Sequence, residues 1–344
     1  MSPTTNIILL GAGKVGREII HQIQASGLPI RFCAIADSQA FLGGDPLTSA
    51  QIRDVMDTKT GGQSLETLPG ALPLKDLPRS FRADAIVVDT SASRDLDLLP
   101  ALHAGCKLVF ANKNAHSAAW EQAVHLFQNP NVRYEATVGA GLPVIQTLRS
   151  MLATGDLITR IEGVMSGTLG FLCSQLEAGL TYSQAINDAF ASGYTEPDPR
   201  DDLSGFDVAR KALILARTAG WPLEQKDLQV EPFFDISMSQ IALESFFQKL
   251  SVSDSGYQKR VEEARLEGKV LRYIATITPQ SVKVGLKAVE KESSLGALNG
   301  PGNFFAFYSQ RFQPIPMVIS GPGAGVSVTA AGVFGDILDL INHR

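Results

Sequence analysis

Asn6-Ile7-Ile8-Leu9-Leu10 is a short, nearly unbroken apolar run, the pattern of a strand covered on both faces. Gly11-Ala12-Gly13-Lys14-Val15-Gly16 follows directly, and then Ile19, Ile20 and Ile23 recur at helical spacing. A second apolar run, residues 30–36, ends in Asp37. Residues 38–80 are rich in Gly, Pro, Ser and Thr and read as an irregular, elaborated crossover with one short helix over 48–57. Strand-like runs resume at 85–89, 108–111 and 132–136. This rhythm of strand, turn and helix predicts an α/β unit built on a parallel sheet.

The pattern changes from Leu152 onward. One strand is predicted over 158–165, then helices from about Thr168 and about Ser183. Another helix runs from about Leu203 to Ala219, with Phe206, Ala209, Leu213 and Ala216 along one stripe. A charged, exposed stretch over 258–269 precedes three alternating runs, 270–278, 281–289 and 303–308, which read as antiparallel strands. A last helix opens at 321–325 and reaches about Leu340. Two domains are expected: residues 1–150 completed by 320–344, and residues 151–319 between them.

Composition narrows the class. Of 344 residues, 44% are apolar and only 19% charged, which fits a compact, well-buried chain. A net charge of −5 and no basic run interleaved with aromatics argue against a nucleic-acid partner. Cys33, Cys106 and Cys173 are far apart and match no zinc spacing, so they read as reduced, buried thiols. No apolar stretch approaches the roughly 20 residues of a membrane span, and no basic region opens a signal peptide. A soluble, cytoplasmic protein without a membrane partner is the expectation.

The glycine turn carries the first candidate chemistry. Gly11 makes the tight turn, Gly13 lets backbone approach a pyrophosphate, and Gly16 allows close helix–strand packing. The helix N-terminus, with Lys14 and Val15 in its first turn, then faces the phosphates. Asp37, about 20 residues further on, sits where an acid accepts from the ribose and repels a 2′-phosphate. No lysine or arginine follows it before Arg53, which favours NAD over NADP. Thr90, Ser91, Ser93, Asn112 and Lys113 fall at the carboxyl ends of later strands, where open sheets bind ligands.

The second candidate is the block Gly193-Tyr194-Thr195-Glu196-Pro197-Asp198-Pro199-Arg200-Asp201-Asp202, followed by Asp207 and Lys211. Asp207 and Lys211 lie four apart, on one helix face. Such charge density is either a solvated turn or a site for a small zwitterion.

With these motifs the chain resembles the homoserine dehydrogenases over nearly its whole length. The resemblance is carried by the early GAGKVG, Ala111-Asn112-Lys113, residues 134–143 (YEATVGAGLP), residues 163–168 (GVMSGT), the GYTEPDP block and Gly321-Pro322-Gly323-Ala324-Gly325. It implies an N-terminal Rossmann dinucleotide-binding domain with a mixed α+β domain for substrate binding and dimerisation. It also implies reversible NAD- or NADP-linked oxidation of L-homoserine to L-aspartate 4-semialdehyde, in threonine, methionine and isoleucine biosynthesis. By resemblance Lys211 is the proton donor and Lys113 the second active-site lysine, which also meets the cofactor. Glu196, Asp207, Thr168 and Asp202 would bind substrate, and Gly325 would lie beside the cofactor. Glu135, Val138, Ala140 and Leu142 match a turn that holds Na+ or a similar monovalent cation in the family. A homodimer formed through the mixed sheet is implied as well. Asn114 stands where some relatives carry a second lysine. The chain ends soon after its last helix, so threonine feedback through an appended module is not expected. Two other readings remain: a semialdehyde dehydrogenase with a different substrate handle, and a catalytically silent nucleotide sensor.

Overall fold

The computed structural model describes residues 4–342, which divide into two compact units. One comprises residues up to Pro143 and from Ala324, the other Val144–Gly323.

The first unit is built on seven strands: β1 (Thr5–Leu10), β2 (Ile30–Ala36), β3 (Ala40–Gly43), β4 (Leu72–Pro73), β5 (Ala85–Asp89), β6 (Lys107–Phe110) and β7 (Val132–Arg133). Their order is β4-β3-β2-β1-β5-β6-β7. Strands β2, β1, β5, β6 and β7 run parallel, whereas β3 and β4 are added antiparallel at one edge. All six residues of β1 are buried, as its unbroken apolar run requires in a sheet covered on both faces. The helix Lys14–Ser26 turns Ile19, Ile20 and Ile23 into the core, each worth about 1.5–3 kcal/mol of burial. The C-terminal helix Val326–Asn342 brings Val333, Ile337 and Leu340 into that same core.

The second unit holds a six-stranded mixed sheet: β8 (Ile158–Val164), β9 (Leu228–Val230), β10 (Lys269–Thr278), β11 (Ser281–Glu290), β12 (Gly302–Ser309) and β13 (Met317–Pro322). The order is β13-β12-β8-β10-β11-β9. Strands β10 and β11 pair over ten residues on each side, and β8 lies antiparallel to both β10 and β12. An NAD-binding type of α/β sheet and a separate mixed sheet are therefore both present.

Several elements differ from the sequence expectation. Residues 38–80 hold β3 and β4 beside the expected helix, which spans Ser49–Thr60 under a Thr48–Gln51 capping box. The run 132–136 is a strand for two residues only, and then a 3-10 turn, Glu135–Thr137. The charged stretch belongs to a helix, Asp254–Leu266, that buries only Ala264. The helix expected from Leu203 is two: Pro199–Leu203 and Phe206–Thr218. Gly205 separates them at φ +72°, packed so that a Cβ there would stand 2.1 Å from the Tyr273 hydroxyl oxygen. Only glycine meets both demands.

Candidate functional site

Within the first unit the glycine turn is fixed by close backbone approach. Gly11 sits at φ +99°, where a Cβ would meet the Ser91 nitrogen at 2.6 Å. A Cβ on Gly16 would lie 2.0 Å from the Gly11 carbonyl oxygen, so helix and turn can touch only through glycine. Gly13 faces open space and is the helix N-cap without a side-chain hydrogen bond. The first-turn N–H groups beside Lys14 and Val15 carry no acidic neighbour, the arrangement that suits a phosphate anion. Thr90 donates its hydroxyl to the Gly11 carbonyl at 2.7 Å, tying the end of β5 to the turn. Ser91 donates both backbone N–H and hydroxyl to Asp89, whose carboxyl is pushed up by burial. Lys113 is the N-cap of a short helix, Asn114–Ser117, just past β6, and Asn112 beside it donates to the Ser93 carbonyl at 2.8 Å. The residues fit a dinucleotide.

Asp37 has partners that its position in the sequence does not show. Its side chain is only 7% exposed, and both oxygens are in use. One accepts from the backbone of Gln39 and Ala40, the other from the Lys59 ammonium at 2.7 Å and the Leu65 N–H at 2.9 Å. Four donors occupy the roughly four lone-pair sites of a carboxylate. Burial alone would raise its pKa, but the Lys59 hydrogen bond and the three N–H groups hold it below the usual carboxylate range. Asp37 is thus a paired rather than a bare acid. Lys59, far along the chain, neutralises it.

The candidate cation turn also lies in the first unit. Glu135 is buried and its N–H donates to the buried Asp336 of the C-terminal helix at 2.8 Å. Val138 and Leu142 close tight turns on Glu135 and Gly139 through their N–H groups. Ala140 has φ +56°, the one non-glycine with positive φ among the described residues. Gly332 packs against it so closely that a Cβ would lie 2.2 Å from the Ala140 carbonyl oxygen. Strain of about 1–3 kcal/mol persists only where surroundings over-determine it, often at ligand sites. A buried carboxylate and hard carbonyl oxygens fit a monovalent cation in donor chemistry.

In the second unit the charged block resolves into two sets. Asp198 caps its helix through the Arg200 N–H and grips the Arg200 guanidinium through both oxygens. Arg200 in turn donates to the carbonyls of Met238, Ser239 and Ile241. This pair fastens the turn to its neighbour. The other set faces a different task. Lys211 is 9% exposed; its ammonium pairs with Asp207 at 2.8 Å and donates to the Met165 carbonyl at 2.8 Å. Three residues after Met165, the Thr168 hydroxyl donates to the Tyr194 carbonyl at 2.6 Å and shares Asp202 at 3.2 Å. The other Asp202 oxygen accepts the Glu196 N–H at 2.8 Å. Burial pushes the Asp202 carboxyl up against the lowering pull of those two donors. Glu196 itself is exposed, and among the described residues its carboxylate has no hydrogen-bond partner.

One connected framework thus links Lys211, Met165, Thr168, Asp202 and Glu196. A nearly buried ammonium beside a carboxylate, with an exposed carboxylate elsewhere in that framework, is a donor set that can hold a zwitterion and exchange a proton. The Met165 carbonyl and Lys59 are the participants that sequence reasoning missed. A backbone acceptor carries no side-chain signal, and Lys59 lies 22 positions from its partner. Gly325, at φ +121°, is exposed, and its carbonyl accepts from Thr329 at the start of the last helix.

A glycine-turn α/β sheet of the dinucleotide-binding type stands in one unit, and a lysine–carboxylate cluster carried on helices and a turn stands in the other. The family model for the homoserine dehydrogenase NAD binding domain matches residues 11–136, and that for homoserine dehydrogenase matches 143–338. The chain belongs to the homoserine dehydrogenase family. It is 38% identical over 98% of its length to a bifunctional aspartokinase/homoserine dehydrogenase of Haemophilus influenzae, covering 43% of that protein. It is 40% identical to a homoserine dehydrogenase of Paracoccidioides brasiliensis over 75% of each chain. The chain spans about two fifths of the length of the bifunctional relatives. In fold it is similar to a hyperthermophilic archaeal homoserine dehydrogenase solved with NADPH, with TM-score 0.75, 21% identity and 99% of each chain covered. No helix among the described residues is long and apolar enough to cross a membrane.

Proposed function

We propose that this chain catalyses the reversible NAD(P)-linked interconversion of L-homoserine and L-aspartate 4-semialdehyde, the step toward threonine, methionine and isoleucine. The observation that carries the reading is the Lys211–Asp207 pair anchored on the Met165 carbonyl, within the framework that holds Glu196. A bound nicotinamide dinucleotide would supply the hydride acceptor for the alcohol carbon, or the hydride donor for the aldehyde. Lys211 gives the proton to the alkoxide oxygen in reduction and receives it in oxidation. Glu196 and Asp207 hold the substrate ammonium, while Thr168 and Asp202 set the turn that presents Glu196. Lys113, at the mouth of the nucleotide sheet, supplies a second cation for the substrate and cofactor.

Gly11, Gly13, Gly16, Thr90 and Ser91 would hold the dinucleotide, with Gly325 beside it. Glu135, Val138, Ala140 and Leu142 would hold Na+, whose contribution is to fix the turn rather than to take part in the chemistry. A homodimer is part of the reading: Leu157, Ile315 and Val318 are exposed apolar residues on or beside β8 and β13. Nicotinamide absorbance followed with homoserine, serine and threonine tests the substrate assignment. Reduction of NAD or NADP by serine but not homoserine would remove it.

Glu196→Gln raises KM for homoserine by about tenfold or more, the scale of a hydrogen bond between charged groups, and leaves dinucleotide affinity unchanged. An unaltered KM would take Glu196 out of the site. The raised Asp202 carboxyl adds a pH signature. On acidification it protonates before an ordinary carboxylate, so the Glu196 turn loosens and KM rises early. In Asp202→Asn that early rise should be absent.

A further inference from the structure

Within the first unit a cavity of about 400 Å³ is lined by residues 94–99 and by the helices Asn114–Ser117 and Trp120–Gln128. That volume falls in the roughly 300–1,000 Å³ range of small-molecule sites. Its floor is apolar: Leu98, Phe110 and Leu126 are nearly buried, and Ala115 and Ala118 add only methyl groups. Its rim is charged. Arg94 and Asp95 are exposed neighbours, and among the described residues neither side chain has an ion pair or a hydrogen bond. Asp97, the third charge of the lining, accepts the Leu99 N–H at 2.9 Å within its own loop.

The rim is held in place from below. The Ser93 carbonyl, one residue before Arg94, accepts from the Asn112 Nδ2 at 2.8 Å and from the Asn114 Nδ2 at 2.7 Å. Asn114 also lines the cavity, and its N–H donates to the Asn112 Oδ1 at 2.9 Å. A rim fixed before binding keeps the ordering cost of a ligand small. A ligand with a single charge would meet its own sign on either Arg94 or Asp95, a repulsion that a zwitterion offsets with an attraction. The apolar floor favours a ligand body without polar groups, since these would be buried there unpaired. We propose that this cavity binds an α-amino acid with an apolar side chain. Arg94 takes its carboxylate, Asp95 its ammonium, and Leu98, Phe110 and Leu126 its side chain. None of the residues assigned above to homoserine lines this cavity.

Equilibrium dialysis of the full chain with radiolabelled L-leucine, L-methionine and L-phenylalanine tests this. At least one of the three should bind saturably at millimolar concentration or below. The tightest is then competed with glycine and with its own analogues lacking the ammonium or the carboxylate, which for leucine are isocaproate and isoamylamine. Each competitor should be weaker by about tenfold or more, the scale of a hydrogen bond to a charged group or of a buried aliphatic side chain. Arg94→Gln and Asp95→Asn alter exposed side chains without partners, so both should fold as wild type does and lose about tenfold in affinity for the amino acid. Glu196→Gln should leave that affinity unchanged. Absence of saturable binding by all three overturns the proposal, as does equal affinity for the analogue without an ammonium, which removes the Asp95 contact. Affinity lost in Glu196→Gln and kept in Arg94→Gln places the amino acid at the Lys211 cluster and refutes the cavity. Each of these readouts is binding alone, so whether the chain oxidises homoserine is decided separately.

Discussion

Lys211→Met lowers homoserine turnover by about 10²–10⁴-fold, the contribution of a positioned acid–base group, while dinucleotide affinity stays close to wild type. Methionine keeps the chain length and helix propensity of the side chain but removes the transferable proton. It also leaves the Met165 carbonyl and Asp207 without the ammonium they share. That loss costs about 1–3 kcal/mol of stability, so activity must be measured where the variant is fully folded. Lys211→Arg separates the two effects. A guanidinium can still pair with Asp207, but it does not deprotonate in a protein. Arginine should therefore restore much of the stability and little of the turnover. Near-normal turnover in Lys211→Met would reduce Lys211 to an ion-pair residue, and Lys113 would become the better proton donor.

The charged turn shows why dense charge is a poor guide until partners are known. Asp198 and Arg200 spend their hydrogen bonds on each other and on three carbonyls. Asp202 is engaged on both oxygens in shaping the turn. Glu196 remains exposed, and Asp207 is half-exposed beside a nearly buried lysine. Asp201 is exposed as well, and Glu196 and Asp207 are the two proposed above to receive an ammonium. Asp202→Asn should accordingly act on KM through the turn, and Asp198→Asn should act on stability.

What could be read from the sequence follows the range of each interaction. The β1 strand, the glycine turn and its helix were legible because a run of apolar residues and three glycines are local signals. Asp207 with Lys211 was legible for the same reason, being one helical turn apart. The two-residue β4 and three-residue β9 are too short to show a period, and their pairing comes from neighbouring strands. The break at Gly205 depends on Tyr273, a contact from another element. The tie from Thr168 to Asp202 spans 34 positions, and no spacing rule reaches it.

Asp37 is the clearest case of a local signal modified by a distant partner, and it supports the second large prediction. Asp37→Asn removes a carboxylate from four donors, one of them the nearly buried Lys59 ammonium. Breaking such a pair from one side costs about 3–5 kcal/mol for a fully buried bridge, and about 2–4 kcal/mol is expected for this slightly exposed one. Its pH dependence has a definite sign. The folded carboxyl titrates below the unfolded value of about 3.9, so its stabilisation is complete above that value and is lost as pH falls through the folded one. The gap between wild type and Asp37→Asn should hold steady from neutral pH to about pH 5 and narrow below it. A gap that widens on acidification would assign the cost to shape rather than charge. The same pair gives a test of cofactor choice. Lys59 and Asp37 together carry no net charge. Asp37→Asn leaves the ammonium unneutralised and should raise kcat/KM with NADP relative to NAD. Lys59→Met leaves the carboxylate unneutralised and should lower that ratio, each by about tenfold on the scale of charge-assisted hydrogen bonds. Opposite movements in the two variants are the required result, and a ratio that moves the same way in both removes this pair from cofactor discrimination.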